Sequence, residues 1–241
     1  MTTEEFSNEF DTLVSSYRRF KDFDNKELLD SIEFDEYEKS VFLTKAQEEL
    51  ITSYYSGRNS NLHSFENTEE IRRYLSSLVR TAEIEPIEDT SNYTKIDKDA
   101  QVFPLPYDVW FITYESAILG NSEDSCLSGK TIDVVPVMQD YFHRVKRNPF
   151  RGPNKRRALR LDIESKEVEL VSNYPISKYL VRYIVKPAPI VLTKLNGISI
   201  DGISSAQTCE LEESLHRPIL DLAVRLALQS KGINLEKDKN N

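Results

Sequence analysis

The spacing of apolar residues changes twice along the chain, and this change limits the fold more than any other feature. Up to about residue 80, apolar side chains recur every three or four positions, which is the period of a helix. From Tyr107 to Lys194 they alternate with polar residues or cluster with β-branched and aromatic ones, as strands do. Helical spacing returns from Leu215 until Gly232. This order predicts an α+β fold, in which N-terminal helices and a C-terminal helix pack on a mostly antiparallel β-sheet.

Capping signals place the ends of the individual helices. Thr2 and Glu5 form a capping box before the first apolar face, which starts at Phe6. A second helix is predicted to begin at Thr44, with Gln47 reaching back to its start, and to end at Gly57, which can adopt the left-handed C-terminal conformation. The other predicted elements are a short strand or extra helical turn over Tyr37–Leu43, a helix over Glu69–Thr81, a loop over Glu85–Ala100, strands over Tyr107–Ala117 and Thr131–Val137, a hairpin over Leu159–Leu170, and paired strands over Tyr179–Lys186 and Ile190–Lys194.

The 241 residues suit one domain of average to large size or two small ones. Residues 1–90 form a helical region, and residues 1–89 hold 21 acidic against 10 basic side chains. Residues 91–235 form the sheet region with the C-terminal helix, and we expect one continuous domain with the first region. Residues 236–241 are polar and are expected to be a flexible tail.

Composition excludes several classes of protein. The 40 acidic residues exceed the 31 basic ones, so a protein that coats nucleic acid over its whole surface is not expected. Two cysteines are too few for a disulfide framework, which favours a reducing compartment. The N-terminus has no signal-peptide pattern, and the apolar runs are shorter than the roughly 20 residues of a membrane span. We therefore expect a soluble protein with no membrane partner.

No pattern of catalytic, metal-binding or cofactor-binding residues stands out. His63, His143 and His216 lie at no metal-ligand spacing, and Cys126 and Cys209 have no neighbouring base motif. We therefore expect no catalytic residue, metal or cofactor.

One stretch matches part of the sequence pattern of a nucleotide-binding loop. Asp124 to Thr131 resembles the end of a P-loop, but an aspartate stands where the first glycine belongs, and strand-forming residues follow instead of a helix. A polar turn entering a strand is the favoured interpretation. The alternative, a nucleotide-hydrolysing packaging enzyme, depends on this loop alone.

A run of basic residues is the most unusual charge feature. Eight basic side chains and no acidic one occur between Arg144 and Arg160, around the turn-forming stretch Asn148–Pro153. This pattern predicts a long basic loop or arm between two strands. Its central Phe150 either anchors in a partner pocket or packs on its own sheet. The candidate contact residues for protein or DNA are Arg144, Lys146, Arg147, Phe150, Arg151, Lys155, Arg156, Arg157 and Arg160.

Three interpretations of the run remain open: a solvated loop, a contact with an acidic protein surface, and a contact with DNA. The acidic N-terminal region could receive the basic arm of another copy, so head-to-tail contact is plausible. The DNA interpretation predicts binding that weakens steeply with salt, as in a small nucleic-acid-binding regulatory protein.

Several segments form one combined pattern: Thr44-Lys-Ala-Gln47, Asn148-Pro-Phe-Arg-Gly-Pro153, Arg156-Arg157, Leu159-Arg-Leu161, Tyr174-Pro-Ile176 with Tyr179, Ala206-Gln-Thr-Cys-Glu-Leu211 and Leu215-His-Arg-Pro-Ile219 with Ala223. Together, over roughly Thr44 to Leu228, these segments resemble the structural proteins of crAss-like tailed bacteriophages.

Within that group the chain is most similar to head-to-tail connector proteins, the adaptor or ring proteins beneath the portal. The resemblance implies a structural virion protein without enzymatic activity, assembled in the host cytoplasm and located at the head–tail junction. It implies a closed ring of copies, twelve-fold to match the portal, in contact with the portal protein and with further neck or tail rings. Genomic DNA would pass through the lumen of that ring.

Overall fold

The computed structural model describes residues 1–20, 33–57, 69–88, 94–120, 127–164 and 166–233. The chain divides into two compact units. We call Met1–Leu78 with Pro187–Asn241 the helical unit, and Val79–Lys186 the sheet unit. Helices together with a seven-stranded, mostly antiparallel sheet confirm the predicted α+β class. The predicted tail, residues 236–241, lies outside the described residues.

The helical unit is built from helices that pack on one another. Contacts join α2 to α5, α1 to α5 and α1 to α2. Their shared core is apolar, and Phe6, Phe10, Leu43 and Ile219 are fully buried in it. The helix bounds are α1 Thr3–Phe20, α2 Glu36–Ser56, α3 Glu69–Tyr74 and α5 His216–Ser230, while α4 Phe142–Lys146 belongs to the sheet unit.

The capping prediction is confirmed for α1 and wrong for α2. Thr2 and Glu5 exchange hydrogen bonds between side chain and backbone, as a capping box requires. Helix α2 begins at Glu36 rather than at Thr44, because Asp35 and Glu38 form the capping box. Tyr37–Leu43, for which a short strand and an extra helical turn were both open, is therefore part of the helix. The predicted helical end at Gly57 is confirmed, and this glycine has φ +73°.

The third helix is shorter than predicted. Helix α3 ends at Tyr74, a 3₁₀ turn covers Ser76–Leu78, and strand β1 starts at Val79. The apolar spacing that suggested a longer helix arises from buried Leu75 and Leu78. Pairing of the following residues with β7 then overrides the helical pattern.

The seven strands form one sheet in the order β1-β7-β3-β4-β5-β6-β2. All neighbours are antiparallel except β4 and β5, which are parallel and are joined by the crossover that contains α4. The predicted β5–β6 hairpin is confirmed. The strand bounds are β1 Val79–Ile84, β2 Ala100–Pro104, β3 Val109–Leu119, β4 Thr131–Pro136, β5 Arg157–Glu164, β6 Glu167–Val171 and β7 Ile176–Val185.

The sheet curls around its own core. The Phe103 ring on β2 lies 5.7 Å from the Tyr179 ring on β7, although four strands separate β2 and β7 in the sheet order. The Gln101 side chain on β2 also exchanges two hydrogen bonds with the backbone of Ile176 on β7. Beyond the end of β1, the N–H of Ile87 donates to the carbonyl of Val102 at 2.8 Å. One face of the sheet therefore encloses an apolar interior.

The predicted pairing of residues 179–186 with residues 190–194 is wrong. Strand β7 pairs with β1 on one side and β3 on the other. Residues 190–194 are not a strand of the sheet and belong to the helical unit. Pro187 and Pro189 precede them and cannot donate ladder hydrogen bonds, so the chain leaves the sheet there.

Candidate assembly surface

The basic run lies on a well-anchored segment between β4 and β5. Its first part is α4, where the Phe142 side chain is fully buried against Leu159 and Leu161 of β5. The Lys146 ammonium pairs with the carboxylate of Asp97. These two attachments hold the start of the segment against the sheet.

The turn in the middle of the run is held by its own hydrogen bonds. The Asn148 side-chain oxygen accepts the N–H groups of Phe150 at 2.9 Å and Arg151 at 3.2 Å. The N–H of Gly152 donates to the carbonyl of Asn148 at 2.7 Å. A β-carbon at Gly152 would lie 2.6 Å from the carbonyl oxygen of Lys146, so a larger residue would displace the backbone. The predicted turn is confirmed and is closely packed.

Large apolar side chains project from this segment into solvent. Phe150 is 86% exposed and Met138 is 75% exposed, and Tyr141 is exposed as well. Phe150 therefore does not pack on its own sheet, which was one of the two roles open for it. Aromatic residues, methionine and arginine are the residue types enriched at protein interfaces. We call Met138, Tyr141, Arg144, Arg147, Phe150, Arg151, Lys155 and Arg156 the basic-aromatic surface; each of these side chains is exposed.

Two of the predicted contact residues are engaged within the sheet unit itself. Lys146 is half-buried beside Asp97, as described. Arg157 is half-buried at the start of β5, and its guanidinium donates to the carbonyl of Phe150 at 3.0 Å. This hydrogen bond holds the turn to β5, so Arg157 fixes the backbone of the exposed Phe150.

Arg160 lies inside the curled sheet. Its guanidinium donates to Glu115 at 2.6 Å, and the Tyr179 hydroxyl donates to the other oxygen of the same carboxylate at 2.6 Å. The side chains of Arg160 and Glu115 are 12% and 9% exposed. Burial raises the pKa of Glu115, and the charge of Arg160 opposes that rise. Strand alternation explains the position, because Arg160 is two residues from buried Ala158 and shares its face.

The described part of the P-loop-like stretch, residues 127–130, is a turn that leads into β4. Gly129 has φ +74°, its N–H donates to the carbonyl of Leu119, and the N–H of Leu119 donates to the carbonyl of Lys130. Strand β4 starts at Thr131, as predicted, where a P-loop requires a helix. Residues 124–126 lie outside the described part of the chain.

The structure describes two of the three histidines and one of the two cysteines. His143 is exposed on α4, whereas His216 is buried and hydrogen-bonds to the carbonyl of Leu211. The Cys209 thiol donates to Gln47, and burial raises its pKa to about 11, so it is a weak nucleophile. His63 and Cys126 lie outside the described residues.

The described residues contain no group of three or more His, Cys, Asp or Glu side chains placed to hold a metal ion. None of the helices described is long and apolar enough to cross a membrane.

Sequence reasoning missed part of the exposed surface. Met138 and Tyr141 precede the basic run and were not predicted as contact residues. The available signal was weak, because an isolated exposed apolar residue is common on protein surfaces. Only the placement of Met138 and Tyr141 on the same β4–β5 crossover as Phe150 marks them as candidates.

These features describe an α+β subunit with an ordered, exposed surface of aromatic and basic side chains. The chain belongs to the phage tail ring protein 3/4 family, whose model matches residues 1–239. It is 50% identical over 233 residues to Ring protein 3 of Bacteroides phage crAss001, covering 96% of both chains. It is also 34% identical over 238 residues to Ring protein 4/5 of the same phage, covering 94% of this chain and 92% of that one. The predicted resemblance to crAss-like phage structural proteins is confirmed.

Proposed function

We propose that this chain is a structural protein of the virion that assembles head-to-tail with its own copies into a closed ring. The ring joins capsid to tail beneath the portal, with twelve-fold symmetry, and lines the DNA conduit at the head–tail junction. Its neighbours are the portal protein and further neck or tail rings. It has no enzymatic role, because its function is assembly. Family membership and the two ring-protein relatives support this proposal.

The distribution of charge is the observation that carries the self-assembly part. The helical unit has 24 acidic and 15 basic residues, whereas the sheet unit has 16 of each. Half of the basic residues in the sheet unit lie between Arg144 and Arg160. A head-to-tail contact joins two different surfaces of the same chain, so one acidic and one basic surface per copy suit it.

The expected free energies of interaction differ between the aromatic and the basic side chains of the basic-aromatic surface. Burial of a phenylalanine side chain contributes about 1.5–3 kcal/mol. An exposed ion pair contributes only about 0–1 kcal/mol and is screened by salt. We therefore assign most of the affinity to Phe150, which is 86% exposed in the isolated chain. The arginines Arg147, Arg151 and Arg156 select an acidic neighbour and accelerate encounter.

The net charge of the chain fits the conduit part of the proposal. The formal charge is −9, so a lumen lined by the acidic helical surface repels the phosphate backbone. Repulsion lets DNA pass without adhering, whereas a basic lumen would bind it in a salt-dependent way.

Charge reversal tests the self-assembly proposal. We expect Arg147→Glu/Arg151→Glu/Arg156→Glu to abolish rings that the wild-type chain forms at high concentration, as counted by mass photometry and negative-stain microscopy. The matched control is Arg72→Glu/Arg217→Glu/Arg225→Glu, which makes the same charge change at exposed positions of the helical unit. Equal loss of rings in both variants, with both folded by circular dichroism, would contradict the role of the basic-aromatic surface.

The same cluster of exposed cations also supports a second candidate, a small nucleic-acid-binding regulatory protein. That function requires affinity for duplex DNA that falls steeply as salt rises. Fluorescence anisotropy over a salt series measures this directly. The ring proposal predicts weak binding at low salt and no stable complex at physiological salt, whereas specific and salt-resistant binding would favour the regulator.

A further inference from the structure

Asn196 and Gly197 form the one asparagine–glycine pair of the chain. They lie in the helical unit between Val191 and Gln207, whose backbone groups exchange two hydrogen bonds at 2.9 and 2.8 Å. Both residues of the pair are exposed. An asparagine side chain can react with the backbone nitrogen of the next residue, and glycine favours this reaction because it has no β-carbon to obstruct the approach. The pair is therefore a candidate for chemical modification without an enzyme.

The geometry around Gly197 leaves room for this reaction. Gly197 has φ +78°, and a β-carbon built on it would meet no atom of a non-neighbouring residue within 4 Å. Among the residues that the structure describes, none forms a hydrogen bond with the Gly197 N–H or with the Asn196 side-chain amide. The attacking nitrogen and the amide carbon are both accessible, because no hydrogen bond within the described chain has to break before they meet.

Each of the other asparagines that the structure describes lacks one of these conditions. Asn148 is followed by a proline, which has no backbone N–H. The Asn154 side-chain oxygen accepts a backbone N–H at 2.8 Å, and the Asn173 side chain donates to a backbone carbonyl at 3.0 Å. Asn8 lies within α1, where helical hydrogen bonding holds the N–H of the next residue. Asn196 therefore differs from these four in both its side chain and its neighbour.

We infer that Asn196 deamidates in the folded chain through a cyclic imide. The Gly197 nitrogen loses its proton to hydroxide and attacks the side-chain carbonyl carbon, Cγ, of Asn196. A C–N bond forms, the bond from Cγ to Nδ2 breaks, and the side-chain nitrogen leaves as ammonia after taking up one proton from solvent. Water then opens the imide, at Cγ to give aspartate or at the backbone carbonyl carbon to give isoaspartate. The net reaction consumes one water, releases one ammonia and transfers no electrons.

The product changes the charge and the backbone of a nearly uncharged segment. Asp201 is the only charged residue among residues 195–209. A carboxylate at position 196 adds one negative charge to the formal −9 of the chain. Isoaspartate also inserts one carbon into the backbone directly after Leu195, which is buried and whose N–H donates to the carbonyl of Ser204 at 2.8 Å. Aged copies of the chain are therefore more acidic and have an altered loop, whether or not they form the proposed ring.

Ageing of the purified full chain in heavy-oxygen water tests the inference. The folded chain is kept in mildly alkaline buffer, and peptide mapping by mass spectrometry follows the uptake of solvent oxygen at each asparagine. We expect the rate at position 196 to exceed the rates at Asn8, Asn148, Asn154 and Asn173 by at least about tenfold. Unfolding in guanidinium chloride should raise the rate at position 196 by less than about tenfold, because the fold does not protect it. A smaller excess in the folded chain, or a larger increase on unfolding, would overturn the inference.

Substitutions of the pair and of a second glycine test the chemical route. Asn196→Gln should stop the acidic band that accumulates in isoelectric focusing of the aged wild type. Gly197→Ala places a β-carbon beside the attacking nitrogen and should slow the reaction by at least about tenfold. The matched control is Gly202→Ala, because Gly202 also has positive φ (+82°) and open space around its α-carbon, so alanine is strained at both sites. With all variants folded by circular dichroism, equal slowing by the two alanine variants would overturn the assignment of the Gly197 nitrogen as the attacking group.

Discussion

A buried polar stripe of the helical unit and a buried polar cluster of the sheet unit find their hydrogen-bond partners differently. In the helical unit, Ser40, Thr44 and Gln47 of α2 bind distant backbone, as Thr44 does with Ile190. In the sheet unit, the side chains of Arg160, Glu115 and Tyr179 bind each other. On the surface the contrast is one of charge, since the helical unit is acidic and the sheet unit carries the basic-aromatic surface. Internal polar groups are therefore committed to the fold of each unit, and the exposed ones are available for assembly.

The largest expected effect comes from the buried cluster of the sheet unit. Arg160→Met leaves the Glu115 carboxylate buried without its cation, so we expect the free energy of unfolding to fall by about 3–5 kcal/mol. Urea denaturation measures the loss, and hydrogen exchange should place it in the sheet unit. The double variant Arg160→Met/Glu115→Gln should recover a substantial part, because no charge remains buried. A single-variant loss below about 1 kcal/mol would contradict the role of the ion pair.

A smaller effect is expected from the helix-to-backbone contact of the helical unit. Thr44→Val keeps the shape of the side chain but leaves the N–H of Ile190 without its hydroxyl acceptor, at a cost of about 1–3 kcal/mol. Thr52→Val is the matched control on the same helix. The Thr52 hydroxyl also donates to a carbonyl four residues back, as the Thr44 hydroxyl does, but Thr52 is exposed. Equal melting temperatures for the two variants would show that the contact with Ile190 contributes nothing.

The pH dependence of the helical unit gives a third test. Burial lowers the pKa of His216, and the amino group of Met1, 2.9 Å from Nδ1, lowers it further. The unfolded chain therefore takes up a proton more readily than the folded chain does. The contribution to stability is complete above the unfolded-state pKa of about 6.5 and is lost as the pH falls below it. We expect denaturation midpoints to decline between about pH 7 and about pH 5, and His216→Gln to flatten that decline. An identical slope in the variant would refute this assignment.

The smallest effect on stability, and a large effect on assembly, is expected at Phe150. Phe150→Ala should change the free energy of unfolding by less than about 0.5 kcal/mol, because the ring is 86% exposed. The same change should weaken ring formation, as measured by mass photometry over a concentration series. Tyr107→Ala is the control, since Tyr107 is an aromatic residue of the same unit that is 83% exposed. If Tyr107→Ala weakens assembly as much, the basic-aromatic surface has no special role.

Much of the fold followed from the period of apolar residues, and the errors have physical causes. The first half of strand β1, up to Thr81, was predicted as the end of a helix, because Leu75 and Leu78 continue a helical spacing into residues that pair with β7. Strand β2 is only five residues long and closes the sheet through tertiary contacts, which leave little local signal. Thr44 and Gln47 have the spacing of a capping box, but in the structure they bind distant backbone. Spacing cannot distinguish these two uses of the same side chains.

The candidate site was partly predictable. The basic run and its turn could be identified from charge and turn-forming residues alone. The exposure of each cation could not, because it depends on the register of β5, which turns Arg160 inward beside Ala158. The role of Phe150 also depended on the structure, since both packing inward and projecting outward agreed with the sequence. Contact of the nine predicted residues with another protein or with DNA stays a prediction.

Electron microscopy of the purified chain mixed with portal protein is the most direct test of the central claim, that copies of this chain join head-to-tail around one axis. The account predicts closed rings stacked on the portal, with twelve copies per ring and subunit contacts that include Phe150. A chain that stays monomeric at high concentration and with the portal protein would contradict it, and so would rings whose subunits meet through other surfaces while the basic-aromatic surface faces solvent.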